Sequence, residues 1–81
     1  MNNLTDTFTI IQPTIAEIFG VEVDEVTPKS SFHLDFNASP EDMDQLKEQL
    51  DQILDTTLPD LTPTSPATIS DLLIMIEDTL L

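Results

Sequence analysis

The chain has 81 residues, no cysteine, and two basic side chains against sixteen acidic ones, which gives a formal net charge of −14. That length allows a single domain over 1–81. Lys29 and Lys47 cannot together build the phosphate-neutralising surface of a nucleic-acid binder, an anionic membrane surface repels such a chain, and without cysteine there is no disulfide, thiolate metal site or thiol nucleophile.

Other counts narrow the chemistry further. A hydrophobic fraction of 40% argues for a packed core despite the charge. His33 is the only imidazole, Tyr and Trp are absent, and the single glycine, Gly20, rules out a glycine-rich phosphate cradle, so no enzyme is expected. The longest apolar run, Leu72 to Ile76, is far short of the ~20 residues that cross a bilayer. The start, Met1-Asn2-Asn3-Leu4-Thr5-Asp6, has neither the basic nor the apolar segment of a signal peptide, which makes a cytoplasmic protein the expectation.

The first helix is expected from about Thr5 to Phe19, because Leu4, Phe8, Ile11, Ile15 and Phe19 recur at spacings of three and four. Pro13 interrupts the pattern and predicts a kink or a fresh start, and Gly20 stands where a left-handed C-terminal residue belongs. Residues 21 to 38 form a long loop through which Val21, Val23, Val26, Phe32, Leu34 and Phe36 are scattered, with the valine and aromatic side chains as the ones that pin it to the core.

The second helix opens at Ser39-Pro40-Glu41-Asp42: a serine N-cap, proline at the first helical position, and acids facing the positive helix end. Met43, Leu46, Leu50, Ile53 and Leu54 mark its buried face, and Asp44, Glu48, Asp51 and Asp55 gather on the opposite side. Pro59, Pro63 and Pro66 keep the next segment irregular. The last helix begins near Thr68, whose hydroxyl caps with Asp71 three residues on, and buries Ile69, Leu72, Leu73, Ile76 and Leu80. Ile74 and Met75 fall outside that stripe, so this helix is either deeply buried or meets a partner.

This order of elements in an acidic chain of this size resembles the acyl carrier proteins. Phe19-Gly20-Val21 is similar to that family's end of helix one, Val26-Thr27 and Ser31-Phe32 to its loop anchors, and Asp35-Phe36-Asn37-Ala38 to the Asp-Leu-Gly-Ala run before helix two. Leu46, Leu50, Leu54 and Leu58-Pro59 match its helix-two core and the Ile-Pro beyond, and Thr68-Ile69 matches the opening of its last helix, all in one gapless frame from Gly20 to about Ile76. The resemblance implies an all-α fold, a small three-to-four-helix bundle with a long first loop. It also implies a 4′-phosphopantetheine esterified to a serine at the start of helix two, and a role in fatty-acid or polyketide-type biosynthesis.

At that point the sequence departs from the family. Where the family has Ala-Asp-Ser-Leu, this chain has Ala38-Ser39-Pro40-Glu41, so Pro40 occupies the attachment position and Ser39 replaces the aspartate. Ser39 supports two readings: a modification site displaced by one residue, with backbone N–H groups able to receive a phosphate, or an N-cap and nothing more. The N-cap reading is preferred, and with it a domain that lacks the prosthetic group.

The helix-two acids resemble the surface by which carrier proteins meet basic partners. Asp35, Glu41, Asp42, Asp44, Glu48, Asp51 and Asp55 are the candidate docking residues, with Asp42 and Asp51 on family docking positions, and complementary charge chiefly speeds encounter. The alternative is a solvated face that keeps a small monomer soluble. A third reading, an acidic mimic of nucleic acid, needs acids spread over most faces, and here they concentrate in helix two and the Glu22 to Glu25 loop. Asp35, Asn37, Ser39 and Glu41 alternate like the first half of a calcium loop, but Pro40 stands where glycine is needed and Leu46 where a bidentate glutamate is, so no metal site is assigned. His33 is assigned no chemistry.

Overall fold

The computed structural model describes residues 4–80, with side chains described from Asp6 onward. They form three α-helices, α1 (Leu4–Phe19), α2 (Pro40–Leu54) and α3 (Ile69–Leu80), and a single 3-10 turn at Val23–Glu25. The fold is all-helical, and three helices fall within the three to four expected. Among the described residues β-structure is limited to isolated bridges, Ser31 with Thr68 and Thr62 with Ser65.

In α1 the expected stripe is the buried one. Ile11 and Ile15 are fully buried, with Phe8 and Phe19 packed at the margin of the core; the side chain of Leu4 lies outside the described residues. The fresh start at Pro13 does not occur, and the helix continues through it. Pro13 is exposed, while Ile11, Ile15 and Ala16 anchor the other side of the same turns, so tertiary burial outweighs the local cost of the proline. Gly20 ends the helix at φ +66°, and the Val21 N–H donates to the Ala16 carbonyl at 3.0 Å, the closing bond of a left-handed C-cap.

The long loop is pinned by fewer side chains than its sequence offers. Val26 and Phe32 are fully buried, Val21 and Phe36 pack partly against the core, but Val23 and Leu34 are exposed, Leu34 by 81%. The reason is local geometry. Around Leu34 the chain makes a tight turn in which the Asp35 N–H donates to the Ser31 carbonyl and the Leu34 N–H to Ser31 Oγ. Phe32 and Phe36, four residues apart on that turn, share the inward side and Leu34 takes the outward one. Val23 lies in the 3-10 turn, which buries none of its residues.

Phe32 joins the three helices. Its ring meets Phe19 at 6.0 Å and Phe36 at 6.3 Å, and Phe19 and Phe36 stack at 5.2 Å. Its N–H donates to the Ala67 carbonyl ahead of α3, and its carbonyl accepts from the Ala38 N–H ahead of α2. Bonds from Ile69 N–H to the Ser30 carbonyl and from Ser70 N–H to the Pro28 carbonyl extend the contact with α3. From the other side Gln12 Nε2 donates to the carbonyls of Val23 and Val26 at 2.8 and 2.9 Å, tying the loop to α1.

Met43, Leu46 and Leu50 form the buried face of α2, with Leu54 partly covered. Ile53, expected inside, is 45% exposed; it sits at the edge of the stripe in the last helical turn, where no element covers it. In α3 Ile69, Leu72, Leu73 and Ile76 are buried, and Leu80, placed on the same stripe by its spacing, is left open at the end of the helix. The Asp71 N–H donates to Thr68 Oγ1 at 3.2 Å, so the expected cap forms. α1 packs against both other helices, whereas no α-carbon of α2 comes within 8 Å of one in α3. The proline-rich connector contributes Leu58, Leu61 and Pro66 to the interior instead.

Truncation of the hub separates it from its exposed neighbour. Phe32→Ala is expected to cost about 3–5 kcal/mol and Leu34→Ala within about 0.5 kcal/mol, measured by urea unfolding; equal losses would show that the loop is not held through Phe32.

Candidate functional site

The segment leading into α2 is built from side-chain-to-backbone hydrogen bonds. Asp35 Oδ2 accepts from the Ser31 N–H at 2.6 Å and closes the turn below Phe32. Asn37 then takes a left-handed conformation, φ 51°, which asparagine tolerates better than most residues and which reverses the chain toward Ala38. Ser39 follows in extended geometry as the N-cap, and Pro40, whose missing N–H costs nothing at this position, is the first residue of α2.

Ser39 and Asp42 hold each other reciprocally. The Asp42 N–H donates to Ser39 Oγ at 3.1 Å, and the Ser39 N–H donates to Asp42 Oδ2 at 3.1 Å. Such a capping box satisfies two backbone donors that would otherwise lack helical partners. The serine oxygen alone is worth about 1 kcal/mol to a helix start. Ser39 is only partly exposed, and Glu41 beside it is open to solvent.

The seven candidate docking acids do not form one surface. Glu41, Asp44, Glu48 and Asp55 are exposed and fall within an arc of about 60° on the outer side of α2. Asp55 ends the helix at φ 52°, left-handed, with its N–H on the Asp51 carbonyl. Asp35 and Asp42 are engaged in the turn and the cap. Asp51, placed on the outer face by its spacing, is half-buried: one oxygen accepts from Lys47 Nζ at 2.8 Å and the other from the Leu58 N–H at 2.8 Å. It therefore ties α2 to the connector. The Lys47 spacing was visible in the sequence as an i,i+4 pair; the Leu58 contact spans seven residues across an irregular segment and had no sequence signal.

These contacts move both pKa values. Burial pushes the Asp51 carboxyl up, but the hydrogen bonds from Lys47 and Leu58 and the Lys47 charge together outweigh it, and the net shift is downward. The Asp51 hydrogen bond raises Lys47, against a partial desolvation that lowers it. Lys47 is engaged with Asp51 and also feels the charge of Asp44, so within the outer arc of acids only Asp44 is partly offset by it.

Two further features complete the surface. An open cleft of about 400 Å³ lies between the 3-10 turn and Phe36, lined by Val21, Glu25, Thr27, Lys29, Ser30 and Asp35 as well. Among the described residues no three His, Cys, Asp or Glu side chains are grouped to hold a metal ion, and no helix is long and apolar enough to cross a membrane. His33 is exposed in the turn after Phe32.

Since the Asp51 pKa is lower in the folded state than in the unfolded one, its contribution is present above the ordinary aspartate value and is lost as pH falls through the folded value. Asp51→Asn is expected to lower stability by roughly 1 kcal/mol at neutral pH, a charged pair discounted for its partial exposure, and to flatten the stability profile below about pH 4. An acid limb identical to that of the unsubstituted protein in chemical unfolding would contradict this role. Set against known protein families, the chain matches no family model.

Proposed function

We propose that this chain is an acyl-carrier-protein-like helical domain that bears no prosthetic group and acts as a non-enzymatic interaction or regulatory protein, presenting the outer face of α2 to a basic surface on a partner. The observation that carries this reading is the start of α2. The position at which the family resemblance calls for a phosphopantetheine-bearing serine is Pro40, the first helical residue, which has no hydroxyl. The serine before it is engaged through its side chain and its backbone with Asp42.

The residues present do not fit 4′-phosphopantetheine. A phosphodiester on Ser39 would displace the capping geometry and bring its charge beside the carboxylates of Glu41 and Asp42, with no basic side chain in the box to offset it. What supports docking is the charge left open on α2. Glu41, Asp44, Glu48 and Asp55 share one side of the helix, while Lys47 is turned to Asp51. A concentrated negative face on a chain of net charge −14 raises the encounter rate with a basic surface, and the effect falls with salt.

The test is intact mass after incubation with coenzyme A and a phosphopantetheinyl transferase of broad specificity. The expected spectrum is unchanged. A gain of one phosphopantetheine that disappears in Ser39→Ala would establish a working acyl or peptidyl carrier in place of this reading. Docking is read by crosslinking in the native cell: adducts should be lost in the double variant Asp44→Lys, Glu48→Lys with its circular dichroism unchanged, and adducts that persist would remove α2 as the docking face.

A further inference from the structure

A second surface, apart from α2, has both shape and chemistry. On α3 the residues Asp71, Ile74, Met75, Asp78 and Thr79 follow one another at helical spacings and, with Pro59 of the connector, line a shallow groove of about 420 Å³. Ile74 is 51% exposed, while the core-facing side of the same helix is filled by Ile69, Leu72, Leu73 and Ile76. Ile74 is therefore not needed to complete the interior. The floor of the groove is apolar, a carboxylate stands at each end, and no basic side chain lines it. The one ion pair formed among the described residues, Lys47 with Asp51, lies on α2.

We infer that this groove docks a basic amphipathic helix, with lysines two helical turns apart that meet Asp71 and Asp78 and an apolar pair between them that covers Ile74 and Met75. The spacing carries the assignment. Asp71 and Asp78 are seven residues apart, about 10.5 Å along the axis, and the apolar pair lies midway. A facing helix repeats that interval with its own residues, and because the order acid, apolar, apolar, acid reads the same in both directions, either helix polarity satisfies it. Charge complementarity selects the occupant. A second copy of this chain, also at −14, is repelled, and so is an anionic membrane. The footprint is small, so the complex belongs to the weak, salt-sensitive class.

The test uses the isotope-labelled 81-residue chain and a synthetic, amidated peptide of about fifteen residues in which lysines two turns apart flank a leucine pair, followed by amide chemical shifts. The control peptide has the same composition, scrambled so that no face forms. Saturable shifts are expected along Asp71 to Thr79 and at the residues flanking Pro59, weakening as salt is added. Ile74→Ser should loosen binding by roughly fivefold, from the lost apolar contact, and Asp78→Asn should loosen it while reducing its salt dependence. Both side chains are exposed, and unchanged circular dichroism confirms that the variants fold. Shifts confined to residues 40–55 would overturn the α3 site and leave the α2 face standing. An equal response to the scrambled peptide, or no response on α3, would also overturn it.

Discussion

The arrangement of the three helices depends on Phe32. Its ring closes the aromatic cluster at the end of α1, its N–H is bonded to the strand of chain that enters α3, and its carbonyl receives the amide that precedes α2. A loop of this length costs conformational entropy and contributes little regular hydrogen bonding of its own. By connecting all three helix ends, one residue converts that loop into a fixed link. The position of the α2 start, and with it the orientation of the capping box, is inherited from this contact.

Charge is the opposing constraint. A chain with fourteen uncompensated negative charges is destabilised by its own repulsion, and the helices hold it by burying Ile11, Ile15, Met43, Leu46, Leu50, Leu72 and Ile76 behind the acidic surface. Part of the acidity is put to structural use, since Asp35, Asp42 and Asp51 accept backbone N–H groups where the chain turns, caps or leaves a helix. What remains on α2 is a smaller and cleaner face than the count of acids implies, and it is this remainder that we assign to a partner. The same division appears on α3, where the inward residues complete the core and the outward ones leave an apolar floor between two carboxylates.

Helix ends were legible wherever a local signal is strong. Ser39-Pro40 with Asp42, Gly20 and Thr68 each specify a boundary through groups within a few residues, and each forms as expected. The failures share a different origin. Val23 is an apolar residue turned outward in a 3-10 turn; Ile53 and Leu80 keep the right spacing but lie at helix ends left open to solvent; and at Pro13 the fresh start is overruled by packing on the far side of the same turns. Periodicity reports which residues share a face, and only the packed partner decides how far along the helix that face is buried. For the same reason the outer acids could be placed on α2 from sequence, but the capture of Asp51 by the connector could not.

The most direct test of the central proposal, that the start of α2 is a carrier-type position whose residues do not suit the prosthetic group, is to install the serine chemistry there and ask whether the place works. The double variant Pro40→Ser, Glu41→Leu puts into the first turn of the helix a serine and a following apolar residue, as in the acyl carrier proteins that the sequence resembles. Incubated with coenzyme A and a broad phosphopantetheinyl transferase, that variant should gain the mass of one phosphopantetheine on residue 40, while the unsubstituted chain treated alongside it stays unmodified. A folded variant that gains nothing would contradict the carrier-type reading of this position.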